Sequence, residues 1–371
     1  MNALNPTQRS LFKAVQGLVV GATCVASLAV TAPAQASVDF SGERIEWIVP
    51  FKEGGGSDTW ARFFAPMLSA NLPGQPPVVV KNIPGGGSTK GANQFDRSAK
   101  SNGLEVIGTS GSTQFPYLLG DRRVNYDYKN WTPVLASPTG GVFYISPELG
   151  IQSAKDLAQL RGKTLKYASQ GATSLDLVPL LALDILDIDV QAIFGMKGRG
   201  AGRLAFERGE VNVDYQTSSA YLQKVTPLVA EGKVIPIMSW GVLDEDGNLQ
   251  RDPTFPDLPH FAEVYEMLHG KQPEGTAFKV WKAFFVAGFA AQKGIFLPKG
   301  TDPAVIDAWG DAVAKTVQSE GFKRRAEEVL GSYPQAVKGK AVKAFQVALD
   351  MDEADREWVR NWLTTRYHVQ F

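Results

Sequence analysis

Cysteine is all but absent. Cys24 is the single one in 371 residues, and it lies in an N-terminal stretch set apart from the rest. The remaining chain has no disulfide, no thiolate nucleophile and no cysteine-built metal site. Histidine is nearly as scarce: His260, His269 and His368 are the three, none at metal-ligand spacing from another, and neither HExxH nor GxSxG occurs. Hydrolases and oxidoreductases lose their usual carriers, so no catalytic residue, metal or cofactor is expected. Charge of one sign is missing too. With 38 Lys plus Arg against 38 Asp plus Glu, no bulk field recruits nucleic acid or an anionic membrane, and a bound anion must be gripped locally. Low-complexity tracts and fixed-period repeats are also lacking. What is there, 44% hydrophobic and 20% charged residues, suits a globular protein long enough for two cores.

The first 36 residues read as a secretory signal: Arg9 and Lys13, an apolar run from Ala14 to Val30, then the small-x-small pattern Ala34-Gln35-Ala36. A permanent anchor is the weaker reading, because the run contains Gln16 and ends at Pro33. Gly21 and Thr23 stand where a lipoprotein signal wants Leu and a small residue before Cys24, which speaks against lipidation. Cleavage after Ala36 and a periplasmic location are expected. Removing the segment takes away two cations and no anion, for a mature net charge near −2.

Beyond it, β-branched runs alternate with glycine-rich turns and helical patterns, the rhythm of βα units. The runs 44–49, 78–81 and 104–109 read as three strands, each followed by a loop at the carboxyl edge of one sheet. In 57–68 the apolar Trp60, Phe63, Phe64, Met67 and Leu68 follow a helical stripe, interrupted by Pro66. The uncharged stretch 131–145 reads as an extended crossover to a second series of strands, 164–168, 190–194 and 211–215, with another strand at 234–240. Residues 244–275 look like a surface excursion, 278–289 an extended return crossover, and the helical tail beyond Asp302 is expected to pack on the first lobe. The fold class that follows is α/β in two lobes, with a mixed, mostly parallel sheet in each lobe and two crossover strands. Lobe 1 takes residues 37–138 plus 280–371, and lobe 2 takes 139–279.

Glycine-rich loops before helices let backbone N–H groups converge at the positive end of the helix dipole, so an anionic oxygen is held without a full charge. Gly54-Gly55-Gly56-Ser57-Asp58 and Gly85-Gly86-Gly87-Ser88-Thr89 both have this form, and Ser110, Ser112 and Thr113 add hydroxyls on the third loop. Nucleotide motifs fail. Lys90 follows Ser88 and Thr89 where a P-loop needs it before them, and the segment 198–203 lacks the third dinucleotide glycine.

At these loops the sequence resembles the Bug family, the TctC-type solute receptors of tripartite tricarboxylate transporters. The resemblance rests on Val49-Pro50-Phe51, Gly54-Gly55-x-x-Asp58, Ala61-Arg62 and Val78-Val79-Val80-x-Asn82-x-Pro84-Gly85-x-Gly87 running on to Gly91-Ala92. In lobe 2 it rests on Tyr167-Ala168-Ser169-x-Gly171, Lys197-Gly198 and Gly209-Glu210-Val211-Asn212. It implies a two-lobed, periplasmic-binding-protein-like fold (type II, Venus flytrap) and a hinge-closing receptor for a small carboxylic-acid solute, working with membrane transporter subunits of the tripartite tricarboxylate type and expected to act as a monomer. Carried over by position, Phe51, Gly55, Ser57 and Asp58 line the first loop, Gly87 and Ser88 the second, and Ser110, Gly111 and Ser112 the third. Asp58 repels a carboxylate, so bracing its own loop is the better reading of it.

Lobe 2 departs from the family pattern at Met196 and Gln216, where a Tyr and an Asp are common; the missing Asp argues against an amino-acid ligand. Gln170, Gly171, Thr173, Ser174, Gln216 and Thr217 offer neutral contacts, and Lys197 or Arg199 a cation for a second carboxylate. Two rival readings remain: a secreted carboxylate-processing enzyme with Asp58, Asp176 or Asp214 as general base, and a solute sensor signalling to a membrane kinase.

Overall fold

The computed structural model describes residues 38–244 and 247–371; the expected signal segment lies outside the described residues. Strand β1 (Ile45–Val49) leads into helix α1 (Gly56–Asn71), β2 (Val78–Asn82) into α2 (Thr89–Ser98), and β3 (Glu105–Ser110) into α3 (Gly111–Leu119). Strands β4 (Thr132–Ser137) and β5 (Gly141–Ile145) follow back to back. The second series is β6 (Leu165–Ala168), α4 (Leu177–Ile185), β7 (Val190–Ile193), α5 (Arg199–Glu207) and β8 (Val213–Thr217). Short helices α6 (Ser218–Ala220) and α7 (Thr226–Ala230), strand β9 (Ile235–Ser239) and a small hairpin, β10 (Val242–Leu243) with β11 (Leu249–Gln250), come next. Helices α8 (Phe261–His269) and α9 (Thr276–Phe285) precede β12 (Lys293–Leu297). The chain ends in α10 (Pro303–Gln318), α11 (Glu320–Leu330), β13 (Ala336–Val337), α12 (Gly339–Ala348) and α13 (Glu353–Tyr367).

Two sheets result, ordered β13-β4-β12-β3-β1-β2 and β7-β6-β8-β5-β9. In the first, β1, β2, β3 and β4 run one way and β12 and β13 the other. In the second, only β5 opposes its neighbours. The chain passes outward between sheets from β4 to β5 across Pro138–Gly140 and returns to the first sheet in β12. Parallel βα units put the β1, β2 and β3 loops on one edge of the first sheet, and the β6, β7 and β8 loops on the facing edge of the second.

Helix α1 covers the first sheet with Trp60, Phe63, Phe64 and Leu68, all buried in one cluster with Trp47, Ile295 and Trp309. Each such side chain contributes roughly 1.5–3 kcal/mol by leaving water. A larger cluster runs through both lobes and includes Phe115, Leu175, Tyr167, Trp240 and Phe284, so the lobes are shut on each other.

The return crossover differs from the sequence reading. Residues 278–289 are helical, in α9 and a π turn (Val286–Ala290), rather than extended. The reason is a stacked aromatic ladder: Phe278 on Trp281, Trp281 on Phe285 and Phe285 on Phe289, with centroids 5.9, 5.2 and 5.4 Å apart. A spacing of three and four residues places these rings on one helix face, a period that an unbroken apolar run conceals. The excursion 244–275 likewise holds α8, capped by His260, whose Nδ1 accepts from Glu263 N–H at 3.3 Å. The tail does more than pack on the first sheet: Trp362 Nε1 donates to Asp184 at the end of α4, 2.9 Å away.

Candidate functional site

The first glycine loop is held rigid from behind. The Asp58 carboxylate accepts from Gly54 N–H (2.9 Å), Arg62 Nε (2.9 Å) and Asn82 Nδ2 (3.0 Å), and is buried. Its three donors come from the loop, from α1 and from β2, so it braces the loop. Phe51 is packed in the apolar cluster under α1. In front, the loop meets lobe 2 directly: Lys52 N–H donates to Lys197 O (2.8 Å) and Ser219 Oγ donates to Gly56 O (3.1 Å). A Cβ on Gly55 would come within 3.3 Å of Gly200 N, and one on Gly56 within 2.2 Å of Thr217 Oγ1. Gly55 and Gly56 are buried and Ser57 half-buried. Thr217 and Gln216 end strand β8 instead of following it in a loop.

The second loop runs through left-handed backbone. Gly86 and Gly87 have φ of 60° and 69°, and Ser88, a non-glycine, 104°. Such conformations cost energy and persist where surrounding structure over-determines them; here Ser88 Oγ is tied to Ser112 O at 2.9 Å. In the third loop Ser110 Oγ accepts from Ser112 N–H (3.2 Å) and caps α3. Ser112 Oγ accepts from Leu175 N–H (3.1 Å) and donates to Gln170 Oε1 (3.5 Å), so it already reaches across to lobe 2. Gly111 leaves room for that approach, since a Cβ there would lie 2.7 Å from Leu175 Cδ1.

Behind the lobe 2 loops is a buried ion cluster. Arg199 is 7% exposed and pairs with Asp176 (3.2 Å) and Asp214, both fully buried. Its guanidinium also donates to Ala168 O (2.7 Å) and Tyr215 O (3.2 Å) and lies over the Tyr167 and Tyr215 rings. Burial alone would lower the Arg199 pKa, but Asp176 and the surrounding phenols outweigh it and hold the group charged. Ser169 Oγ and Gln170 N–H donate to Asp176 (2.8 and 2.6 Å), Tyr144 Oη donates to Asp214 (2.5 Å), and Gln216 Nε2 donates to Asp214 (2.9 Å). Arg199 is therefore consumed within the lobe. Ser174 Oγ turns back onto Gly171 O at 2.7 Å.

Between the two loop sets a cleft of about 720 Å³ stays open, lined by Gly85–Gly87 from lobe 1 and Gln170–Thr173 and Phe194–Lys197 from lobe 2. Residues 121–123 and the C-terminal 367–370 complete it. Of the residues singled out from sequence, Gly87, Gln170, Gly171, Thr173 and Lys197 share this space. The first-loop set and Gln216 and Thr217 lie instead in the closed contact. Exposed Arg122, Arg123 and Lys197 against buried Asp121 make the cleft cationic. Thr173 Oγ1 donates to Asp121 (2.7 Å) and accepts from Arg123 (2.9 Å), a polar latch between lobes. Burial pushes the Asp121 carboxyl up, but hydrogen bonds from Arg123 and Thr173 hold it below its ordinary value. Sequence reasoning missed Asp121, Arg122, Arg123 and the tail, because no local pattern marks them. Gln370 reaches Arg122 (3.1 Å) and Tyr367 packs on Phe194 (5.6 Å), which makes the tail a wall of the cleft.

Two α/β lobes with facing glycine-rich edges and a cleft between them define the periplasmic-binding-protein class. Solved structures agree on the fold. The periplasmic binding protein BugD matches with a TM-score of 0.66 at 21% identity, over 88% of this chain and 98% of that one. MatC from Rhodopseudomonas palustris with bound malate gives 0.61 at 20% identity, over 86% and 97%. An R. palustris protein with adipate gives 0.65 at 18% identity, over 88% and 98%. Among curated proteins, BugT of Bordetella pertussis is 26% identical over 332 residues, 85% of this chain and 90% of that protein. The UPF0065 protein in the gbd 5′ region of Cupriavidus necator is 27% identical over 332 residues, 85% and 87%. No family model matches the chain. The chain is thus similar to Bug proteins in sequence and to periplasmic binding proteins in fold, in keeping with the resemblance carried by the loop motifs.

Proposed function

We propose that this chain is an exported periplasmic receptor that captures a small carboxylate-bearing solute between its lobes and delivers it to a tripartite tricarboxylate-type membrane transporter. The observation that carries the reading is the cationic cleft, floored by the positive-φ glycines Gly85–Gly87 and shared by both lobes. Backbone N–H groups of the glycine loop and the cations Arg122 and Lys197, which no carboxylate among the described residues of the cleft engages, suit a carboxylate. The malate on MatC and the adipate on the second R. palustris protein support the same chemistry. The lobes divide as residues 37–138 plus 280–371 and 139–279, the signal is removed after Ala36, and the receptor acts as a monomer. Among the described residues no helix is long and apolar enough to cross a membrane.

A thermal-shift screen of the chain from residue 37 against carboxylic acids tests this. A solute at a hundred times its Kd stabilises the folded state by about 2.7 kcal/mol. A complete absence of shift, or chemical conversion of the stabilising acid, would overturn the reading. The enzyme alternative has little support, since Asp58 is engaged by three donors and Asp176 and Asp214 face Arg199. In Thr173→Val the shape is kept and the latch to Asp121 lost. A hydrogen bond to a charged group is worth about 1.5–3 kcal/mol, so solute release measured by stopped flow is expected to quicken by roughly tenfold or more.

A further inference from the structure

Lys293 stands outside everything described so far. It opens β12 directly opposite Ser110 of β3 and Ser137 of β4, and all three are buried, Lys293 to 2% exposure. Among the described residues its ammonium has no hydrogen-bond or ion-pair partner, and burial pushes the amine down to about 7.

Side chains alternate across a strand, so Lys293 shares a sheet face with Ile295. Ile295 packs in the same cluster as Trp60, Ala61 and Phe64, which puts Lys293 on the side covered by α1, at the edge where α1 begins. That helix start has no side-chain cap, since Gly55 has none to offer, and its first-turn acid Asp58 is held by Gly54, Arg62 and Asn82. Among the described residues Lys293 itself has no carboxylate within ion-pairing distance, and the one acid of the α1 first turn is already taken. Burying an unpaired ammonium is costly, and a fold that keeps one calls for a guest of opposite charge.

We propose that Lys293 is the specificity-determining cation of this receptor, pairing with the solute's carboxylate beside the start of α1 and between Ser110 and Ser137. The inference rests on the receptor reading. Ser137 ends the outgoing crossover strand and Lys293 begins the returning one, so the pair sits at the hinge. Closing on empty space desolvates the amine, whereas closing on a carboxylate neutralises it, and that difference favours the closed state only when solute is present.

The test is differential scanning fluorimetry of wild type, Lys293→Met and Lys293→Gln with mono-, di- and tricarboxylates and aromatic acids, chloride being the control anion. Without solute, Lys293→Met is expected to melt above wild type. For whichever acid stabilises wild type, both variants are expected to lose roughly 10- to 100-fold in affinity. Unchanged affinity in the variants overturns the anchor and leaves the receptor reading intact. A lower melting temperature in both variants without solute also overturns it, because the fold would then need the amine for itself. If no acid stabilises wild type, the receptor reading falls and the anchor with it.

Discussion

Gly200→Val is expected to raise the solute Kd by roughly 100-fold while the protein stays folded. Gly200 lies in the first turn of α5, and a Cβ there would be 2.9 Å from Gly54 C and Gly55 N and 3.0 Å from Gly54 O. Those atoms are backbone of the opposing lobe and cannot rotate aside as a side chain would. Forcing extra carbon into such a contact costs about 3 kcal/mol at the upper end, equivalent to that factor in Kd. Separation of the lobes relieves the clash, so the cost falls on closure and not on either lobe's core. Isothermal titration should show the loss of affinity, and small-angle scattering a larger radius of gyration that solute no longer reduces. Wild-type affinity in this variant would refute direct loop-to-loop closure. Gly55→Val offers a graded comparison, since its nearest neighbour, Gly200 N, is 3.3 Å away. Gly87→Val differs in kind: its nearest neighbour is 3.6 Å away, and the harm comes from φ of +69°.

These three glycines show what the sequence exposes and what it withholds. Runs of glycine after β1 and β2 announced tight corners, because local composition encodes backbone conformation. Strand positions were legible for the same reason, since β-branched runs bounded by turns need no distant partner to be recognised. Which glycine faces the other lobe depends on residues some 145 positions away, as Gly55 meeting Gly200 does, and no local pattern reports that. Lys293 is the sharper case. In the sequence it is a lysine at the start of an apolar run, where a solvated end is the ordinary expectation. Ser110 and Ser137, flanking it from strands far upstream, bury it. Residues 278–289 failed differently: their apolar count fitted a strand, and only the stacking of Trp281 on Phe285 reveals the helical period. For Asp58 the repulsion between like charges, which is independent of fold, spoke against direct contact with a carboxylate, whereas the donors that hold it, Gly54, Arg62 and Asn82, are visible only in the structure.

Arg199→Met is expected to destabilise the protein by about 3–5 kcal/mol, the usual cost of breaking a buried ion pair from one side. Asp176 and Asp214 would be left fully buried without their cation. The loss is also structural. Parallel strands β6 and β8 pair at a single register position, Tyr167 with Val213, and beyond it they splay. Arg199 occupies the gap, donating to Ala168 O of β6 and Tyr215 O of β8, so its guanidinium replaces ladder hydrogen bonds the sheet cannot make there. Methionine fills the volume between the Tyr167 and Tyr215 rings but donates to neither strand. At about 2–4 °C per kcal/mol for a chain of this order, the melting temperature should fall by roughly 10 °C. Pairing the change with Asp214→Asn should recover part of the loss, because one uncompensated charge is removed, and the double-mutant cycle should show strong coupling. Additivity in that cycle would mean that Arg199 acts through packing alone. Since the Gly171–Ser174 loop hangs from Asp176 through Ser169 and Gln170, the variant should also bind solute more weakly at temperatures where it remains folded, which separates an arginine that shapes the site from one that touches the ligand.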